Sequence, residues 1–218
     1  VNQKIYVDVF FQKKPYVLNK SRTIGISKSN IDYFKNNIVN IDKILWKLKK
    51  IEIFSENLKN EKILNFENKS KHLFSMVKNH DLYNLLFLSL KKNKLIQFKK
   101  RFSKNILAKK HYKLIFNCDY HHPISKKFFN RKINKDYDSF AHVTTFKHKK
   151  IPNNSIASQI FTKKGPFAFL PISSTETSVV YSKRGKNDID LKEFIKRYNK
   201  KYDISKINSF KSFELKSS

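Results

Sequence analysis

Short apolar runs separated by polar turns dominate this chain, and three stretches carry apolar residues at helical spacing. Ile5 to Phe11 (IYVDVFF) is β-branched and aromatic, which predicts a buried strand. Ser27 or Ser29 can cap a helix through Asn37. Ile31, Phe34 and Ile38 keep its spacing, and Ile44, Leu45 and Leu48 continue the apolar face. Lys50 to Phe54 alternates as a strand, and Ile63 to Phe66 and Leu73 to Val77 read as two more. Asp81 is predicted to cap a helix through Lys92, with Leu82, Leu85, Leu86 and Leu90 on one side. Leu95 to Phe98 reads as a strand, Lys99 to Ala108 as a loop or hairpin, and Lys113 to Asn117 (KLIFN) as another buried strand.

The second half has a different texture. Asp138 to Lys147, Ser155 to Phe161, Phe167 to Ile172 and Thr177 to Ser182 read as strands. Short turns such as Lys163 to Pro166 and Ser173 to Thr175 separate them, which predicts an antiparallel sheet. Asp190 caps a predicted helix through Lys201 with Leu191, Phe194, Ile195 and Tyr198 on its apolar side, and Phe210 to Leu215 closes as a strand. The fold class is α/β: strands with helices first, then an antiparallel sheet.

A length of 218 residues suffices for one domain or an elaborated single fold with a sizeable core, and 20 Phe with 10 Tyr exclude simple disorder. One cysteine, Cys118, excludes a disulfide framework, and no apolar run approaches a membrane span of about 18 residues. Val1 to Phe11 does not read as a signal peptide. Three glycines, Gly25, Gly165 and Gly185, exclude a self-contained glycine-rich phosphate loop. The net charge of +30 raises nucleic acid or an anionic membrane as partners. Lys supplies 42 of the 47 basic residues, however, and Lys, Ile, Asn, Phe and Tyr, all with AT-rich codons, make up 117 positions. The lysines are also spread along the chain. These features favour drifted surface lysine over a dedicated nucleic-acid face, with weak, salt-dependent attraction for polyanions.

His111, Cys118, Asp119, His121 and His122 lie within twelve residues, but a second pair at zinc-ligand spacing is missing. Cys118, ending an apolar run, reads as a small hydrophobe rather than a nucleophile. Asp119 is either a helix cap or an acid at the carboxyl end of a strand, where α/β folds bind ligands. The basic and aromatic run Lys126 to Lys132 reads as an anchored loop or helix start rather than a base-stacking track.

Several segments carry a resemblance in order. These are Ser21 to Ser27 (SRTIGIS), Trp46, Met76 to Leu82 (MVKNHDL), and Asn117-Cys118-Asp119 with Ser125-Lys126. The most specific are Gln159-Ile160-Phe161, then Gly165 to Ile172 (GPFAFLPI), then Ser178 to Ser182 (SVVYS). Together they resemble the ubiquinone-biosynthesis branch of the flavin-dependent aromatic hydroxylases, relatives of para-hydroxybenzoate hydroxylase, whose pattern runs "Q-x-F…G-P-x-A-x-L-P-L…S-x-V-W-S".

The resemblance implies a middle portion of such an enzyme. The first βα unit with its glycine-rich turn and the C-terminal flavin-binding segment would lie outside it. Residues 1–135 (segments 1–57 and 73–135) would form a partial FAD-binding domain, and 136–218 mainly the antiparallel substrate-side sheet plus a helix. Arg22, Asn79, Asp119 and Lys126 fall at cofactor positions. His80 and Tyr120 depart from the family's Arg and Gly, and Phe11 stands where an acid binds ribose. Phe167, Phe169 and Pro171 fall on the substrate side, although the same aromatics also read as sheet core. The implied cofactor is FAD, with NAD(P)H or another electron donor. The implied partners are a prenylated phenol and dioxygen, in a cytoplasmic protein with peripheral contact to an anionic membrane or to other biosynthetic proteins. No catalytic side chain and no metal are implied, and the 218 residues alone are expected to bind FAD poorly or not at all.

Overall fold

The computed structural model describes residues 5–10, 20–58, 61–67, 73–99, 102, 112–119, 122–128, 135–185 and 189–217, with backbone alone for 126, 216 and 217. In chain order the elements are β1 (Val7–Phe10), β2 (Thr23–Ser27), α1 (Lys28–Asn37), β3 (Trp46–Leu48), β4 (Lys50–Ser55), β5 (Glu61–Glu67), β6 (Phe74–Lys78) and α2 (Asn79–Lys92). There follow β7 (Ile96–Lys99), α3 (Pro123–Phe128), β8 (Lys135–His148), β9 (Ile156–Thr162), β10 (Gly165–Pro171), β11 (Glu176–Arg184), α4 (Leu191–Tyr198), β12 (Ile204–Ile207) and β13 (Lys211–Ser217). The chain forms two compact units, a smaller one (1–17, 90–135 and 216–218) and a larger one (18–89 and 136–215).

The larger unit is built on an eight-stranded sheet in the order β12-β8-β11-β10-β9-β4-β5, with β13 also on β8. Every described pairing along that order is antiparallel except β4 with β9. Successive side chains of a strand point to opposite faces, so the register sorts them. Phe167 stands opposite Tyr181 on one side and Ile160 on the other, and Phe169 opposite Val179. With Phe146 these residues form one apolar face, covered by Leu191, Ile195 and Tyr198 of α4 and by Tyr202. The helix can sit there because Asp190 caps it, its carboxylate accepting the N–H groups of Lys192 (2.9 Å) and Glu193 (3.3 Å).

A three-stranded sheet, β2-β6-β3, completes this unit. Leu48 and Met76 from it meet Ala157, Leu170 and Ile172, which face away from α4. Its other side packs Ile26 and Val77 on Ile31 of α1 and on Ile41. The turn from β9 to β10 depends on Gly165, whose φ is +139° and where a Cβ would stand 2.0 Å from the Ser182 carbonyl oxygen.

In the smaller unit β1 and β7 pair in parallel, Val7 opposite Ile96 and Phe10 opposite Lys99. Phe10 meets Phe102 and Tyr112 edge-on, and the Tyr112 hydroxyl donates to Asp8 Oδ2 at 2.5 Å.

Four expectations are corrected. Residues 113–117 are irregular: Leu114 is 69% and Phe116 81% exposed, so this apolar run has no sheet to join among the described residues. Leu45 and Leu48 do not extend α1; the segment turns and Trp46 to Leu48 pairs with β6 as a strand. α2 begins at Asn79, which puts Asp81 inside its first turn. α4 stops at Tyr198 rather than Lys201, because Asn199 bonds the chain beyond it: its Oδ1 accepts from Tyr202 N–H at 2.8 Å and its Nδ2 donates to the Tyr202 carbonyl at 2.7 Å. Most of 99–108 lies outside the described residues, as do Phe11, His111, Tyr120, His121 and 129–132. Among the described residues no helix is long and apolar enough to cross a membrane.

Candidate functional site

Two of the cofactor-position residues meet in the larger unit. β2 and β6 run antiparallel with Thr23 opposite Lys78, so Arg22 and Asn79 flank the same end of the pair. The Asn79 N–H donates to the Arg22 carbonyl at 3.0 Å. Asn79 is also the first residue of α2, so Arg22 lies at that helix's N-terminus. The other cation there, Lys78, is committed to Glu176 Oε2 at 2.5 Å. No carboxylate pairs with Arg22 among the described residues; its exposed guanidinium lies over the Phe213 ring, 5.7 Å from the centroid. Beside it, in the first turn of α2, His80 Nδ1 meets Asp81 Oδ1 at 3.1 Å and His80 Nε2 meets Asn84 Nδ2 at 3.2 Å. A guanidinium with open donors beside a helix N-terminus suits an anionic or electron-rich group.

Asp119 and Lys126 belong to the smaller unit. Residues 113–117 before Asp119 form no strand; its carbonyl accepts from His122 N–H (3.1 Å) and from Ser125 Oγ (3.2 Å), while Asn117 Nδ2 donates to Ser125 Oγ (2.7 Å). The segment is thus folded as the turn entering α3, in whose backbone Lys126 lies. Cys118 is exposed.

Phe167, Phe169 and Pro171 are all buried, and the two rings pack 5.0 Å apart between centroids, beneath α4. The opposite face of the same strands presents Ala168, Val180, Ala141 and Gln159, all half-buried. One hydrogen bond, Thr23 Oγ1 to Ser178 Oγ at 2.9 Å, joins this face to the strand that follows Arg22. This face and the strand that follows Arg22 are therefore in contact.

Sequence reasoning missed the polar groups on the α4 side. Asn154 is fully buried. Its Oδ1 accepts from Lys201 Nζ (3.1 Å) and the Tyr202 hydroxyl (3.3 Å), and its Nδ2 donates to the Ser173 carbonyl (2.9 Å). His148 Nδ1 donates to the Lys149 carbonyl (2.8 Å), and Nε2 meets Thr177 Oγ1 (3.1 Å). Burial pushes the Tyr202 hydroxyl up to about 12. Burial, and then the Glu56 carboxylate it donates to, push Tyr198 up to about 12. Burial opposes ionisation of Glu52, but Lys62 and Lys50 outweigh it and hold the carboxyl below its ordinary value. An asparagine in a Pro-Asn-Asn-Ser turn gave no periodic signal for any of this.

Neither a family model nor a curated protein sequence matches the chain. Solved structures do match its fold. CtdE, in complex with FAD and a substrate, aligns with a TM-score of 0.62 at 9% identity, over 88% of this chain and 56% of that one. PqsL from Pseudomonas aeruginosa, described as a probable FAD-dependent monooxygenase, aligns at 0.58 and 11% over 81% and 53%. The 2,6-dihydroxypyridine-3-hydroxylase of Arthrobacter nicotinovorans aligns at 0.53 and 10% over 84% and 51%. This chain is thus similar in fold to FAD-dependent monooxygenases and spans about half the length of the structures it matches.

Proposed function

We propose that this chain is part of an FAD-dependent monooxygenase that hydroxylates an aromatic ring, with a prenylated phenol of ubiquinone biosynthesis as the substrate. The fold likeness supports the enzyme class, and the ordered Gln159 to Ser182 segments support the pathway. The observation that carries the reading is the Asn79 N–H to Arg22 carbonyl bond, which sets an exposed guanidinium at the N-terminus of α2. These residues fit an anionic or electron-rich part of FAD, and Arg22 and Asn79 would hold it. Reduced flavin, when bound, supplies the activation of dioxygen, with electrons from NAD(P)H or another donor.

The chain's own residues bind and orient. Ala168 and Val180 form a flat apolar surface against which a ring can lie, and Gln159 offers an amide beside it. The half-buried side chains there would contact the ring, while the packing of α4 on the opposite face holds the strands in place. Basic surface lysine would favour peripheral contact with an anionic membrane, where a prenylated substrate resides.

Titration of FAD fluorescence with the purified chain tests the cofactor assignment. The expected result is weak, saturable quenching that Arg22→Ala weakens about tenfold, the size of one charge-assisted contact. Equal affinity in the variant contradicts it.

A further inference from the structure

A hollow lies on the α4 side of the large sheet, opposite the face that carries Ala168 and Val180. β4, β9 and β10 supply its floor through Phe54, Ile160 and Phe169, and the chain from Tyr198 to Tyr202 forms its wall. Its volume is about 160 Å³, and it is open on one side. An engineered apolar cavity of about 150 Å³ takes a benzene ring. Ser158 sits at the middle of the floor, opposite Glu52 on β4 and Phe169 on β10. Its hydroxyl has no hydrogen-bond partner among the described residues.

The charge at the mouth is unbalanced. Glu52, which also lines the hollow, is engaged by Lys50 at 3.1 Å and Lys62 at 3.0 Å and makes no ion pair with Lys201, although its charge still favours the Lys201 ammonium. Lys201 Nζ donates to Asn154 Oδ1 and lies 5.1 Å from the Tyr202 ring centroid, which leaves donors toward the hollow. Burial holds its amine below the ordinary lysine value, which an arriving anion would reverse. Lys200 adds a further cation to the lining.

We propose that this hollow binds a single-ring aromatic carboxylate, with the ring on Phe54, Ile160 and Phe169 and the carboxylate held by Lys201 and the Ser158 hydroxyl. A cation is disfavoured by the two lining lysines, Lys200 and Lys201, because the lining carboxylate of Glu52 is already engaged by Lys50 and Lys62. A neutral ring gains the apolar floor but no ion pair. The assignment is independent of the flavin reading, and its test uses no flavin, so either can fail alone.

The probe is 4-fluorobenzoate, followed by fluorine NMR on the whole chain, with 4-fluorobenzyl alcohol as the neutral comparison. The wild-type chain is expected to bind the acid saturably and more tightly than the alcohol. Lys201→Gln, which preserves a donor for Asn154, should weaken the acid about fivefold, as for one partly screened ion pair, and leave the alcohol unchanged. Ser158→Leu, filling the floor, should abolish both. The proposal is overturned by an absence of saturable acid binding, by equal affinity for the alcohol, or by undiminished acid binding in Lys201→Gln. The last outcome is decisive even if Ser158→Leu does not fold.

Discussion

The two faces of the eight-stranded sheet use the same strands for opposite ends. Along β10, Phe167 is sealed under α4 and Phe169 is buried at the floor of the hollow beside it, while Ala168, one position away, is half-open. The difference lies in what the chain lays against each face. α4 is capped, amphipathic and ends where Asn199 redirects the chain, so it covers one face with Leu191, Ile195 and Tyr198. The other face is covered where Leu48 and Met76 reach Leu170 and Ile172 and is buried again at Val143, Thr145 and Ser178, which leaves Ala168, Val180, Ala141 and Gln159 half-buried. Sealing gives stability, and incomplete covering leaves the side chains around Ala168 half-exposed, the surface proposed above to take a ligand.

The comparison can be broken by substitution. Phe167→Ala removes a fully buried ring from the sealed face and should cost about 3–5 kcal/mol in urea unfolding. A loss below about 1 kcal/mol would mean that α4 does not seal the sheet.

A smaller, pH-dependent effect is expected at Glu56. The Lys163 N–H (2.8 Å) and the Tyr198 hydroxyl (2.7 Å) hold its carboxyl below the ordinary value of 4.5. A depressed carboxyl stabilises the fold fully above that ordinary value and loses the contribution as pH falls through the lower, folded one. Tyr198→Phe removes one donor, so the stability gap between variant and wild type should be widest above pH 4.5 and narrow on acidification. A gap independent of pH would show that the hydroxyl contributes packing alone. On the open face, Ala168→Ser should change stability by less than about 0.5 kcal/mol in the same unfolding assay.

Much of this was legible in the sequence. Alternation from Asp138 to Ser182 predicted β8 to β11, and Asp190 before an amphipathic run predicted α4. Other features depend on long-range pairing. β4 lies parallel to β9, more than a hundred residues away, so β4 and β5 join the large sheet rather than forming one of their own. The Lys113 to Asn117 run failed because a short apolar stretch without alternation does not distinguish a strand from an exposed irregular segment. Asp119 therefore lost the strand that had made it look like a ligand-binding acid. Alternation also showed that Phe167 and Ala168 face opposite ways, but not which side a helix would cover. Arg22 and Asn79 were picked by resemblance; their contact needed the β2–β6 register.

The central claim is that the open face and the Arg22 edge form the ligand side of the sheet. Backbone amide NMR of the labelled chain, titrated with FAD and then with a phenol, tests it directly. The account predicts that shifts concentrate at Arg22, Asn79, Ala168, Ser178 and Val180 and leave Leu191 to Tyr198 unmoved. Shifts confined to α4, with none at Arg22 or Asn79, would contradict it.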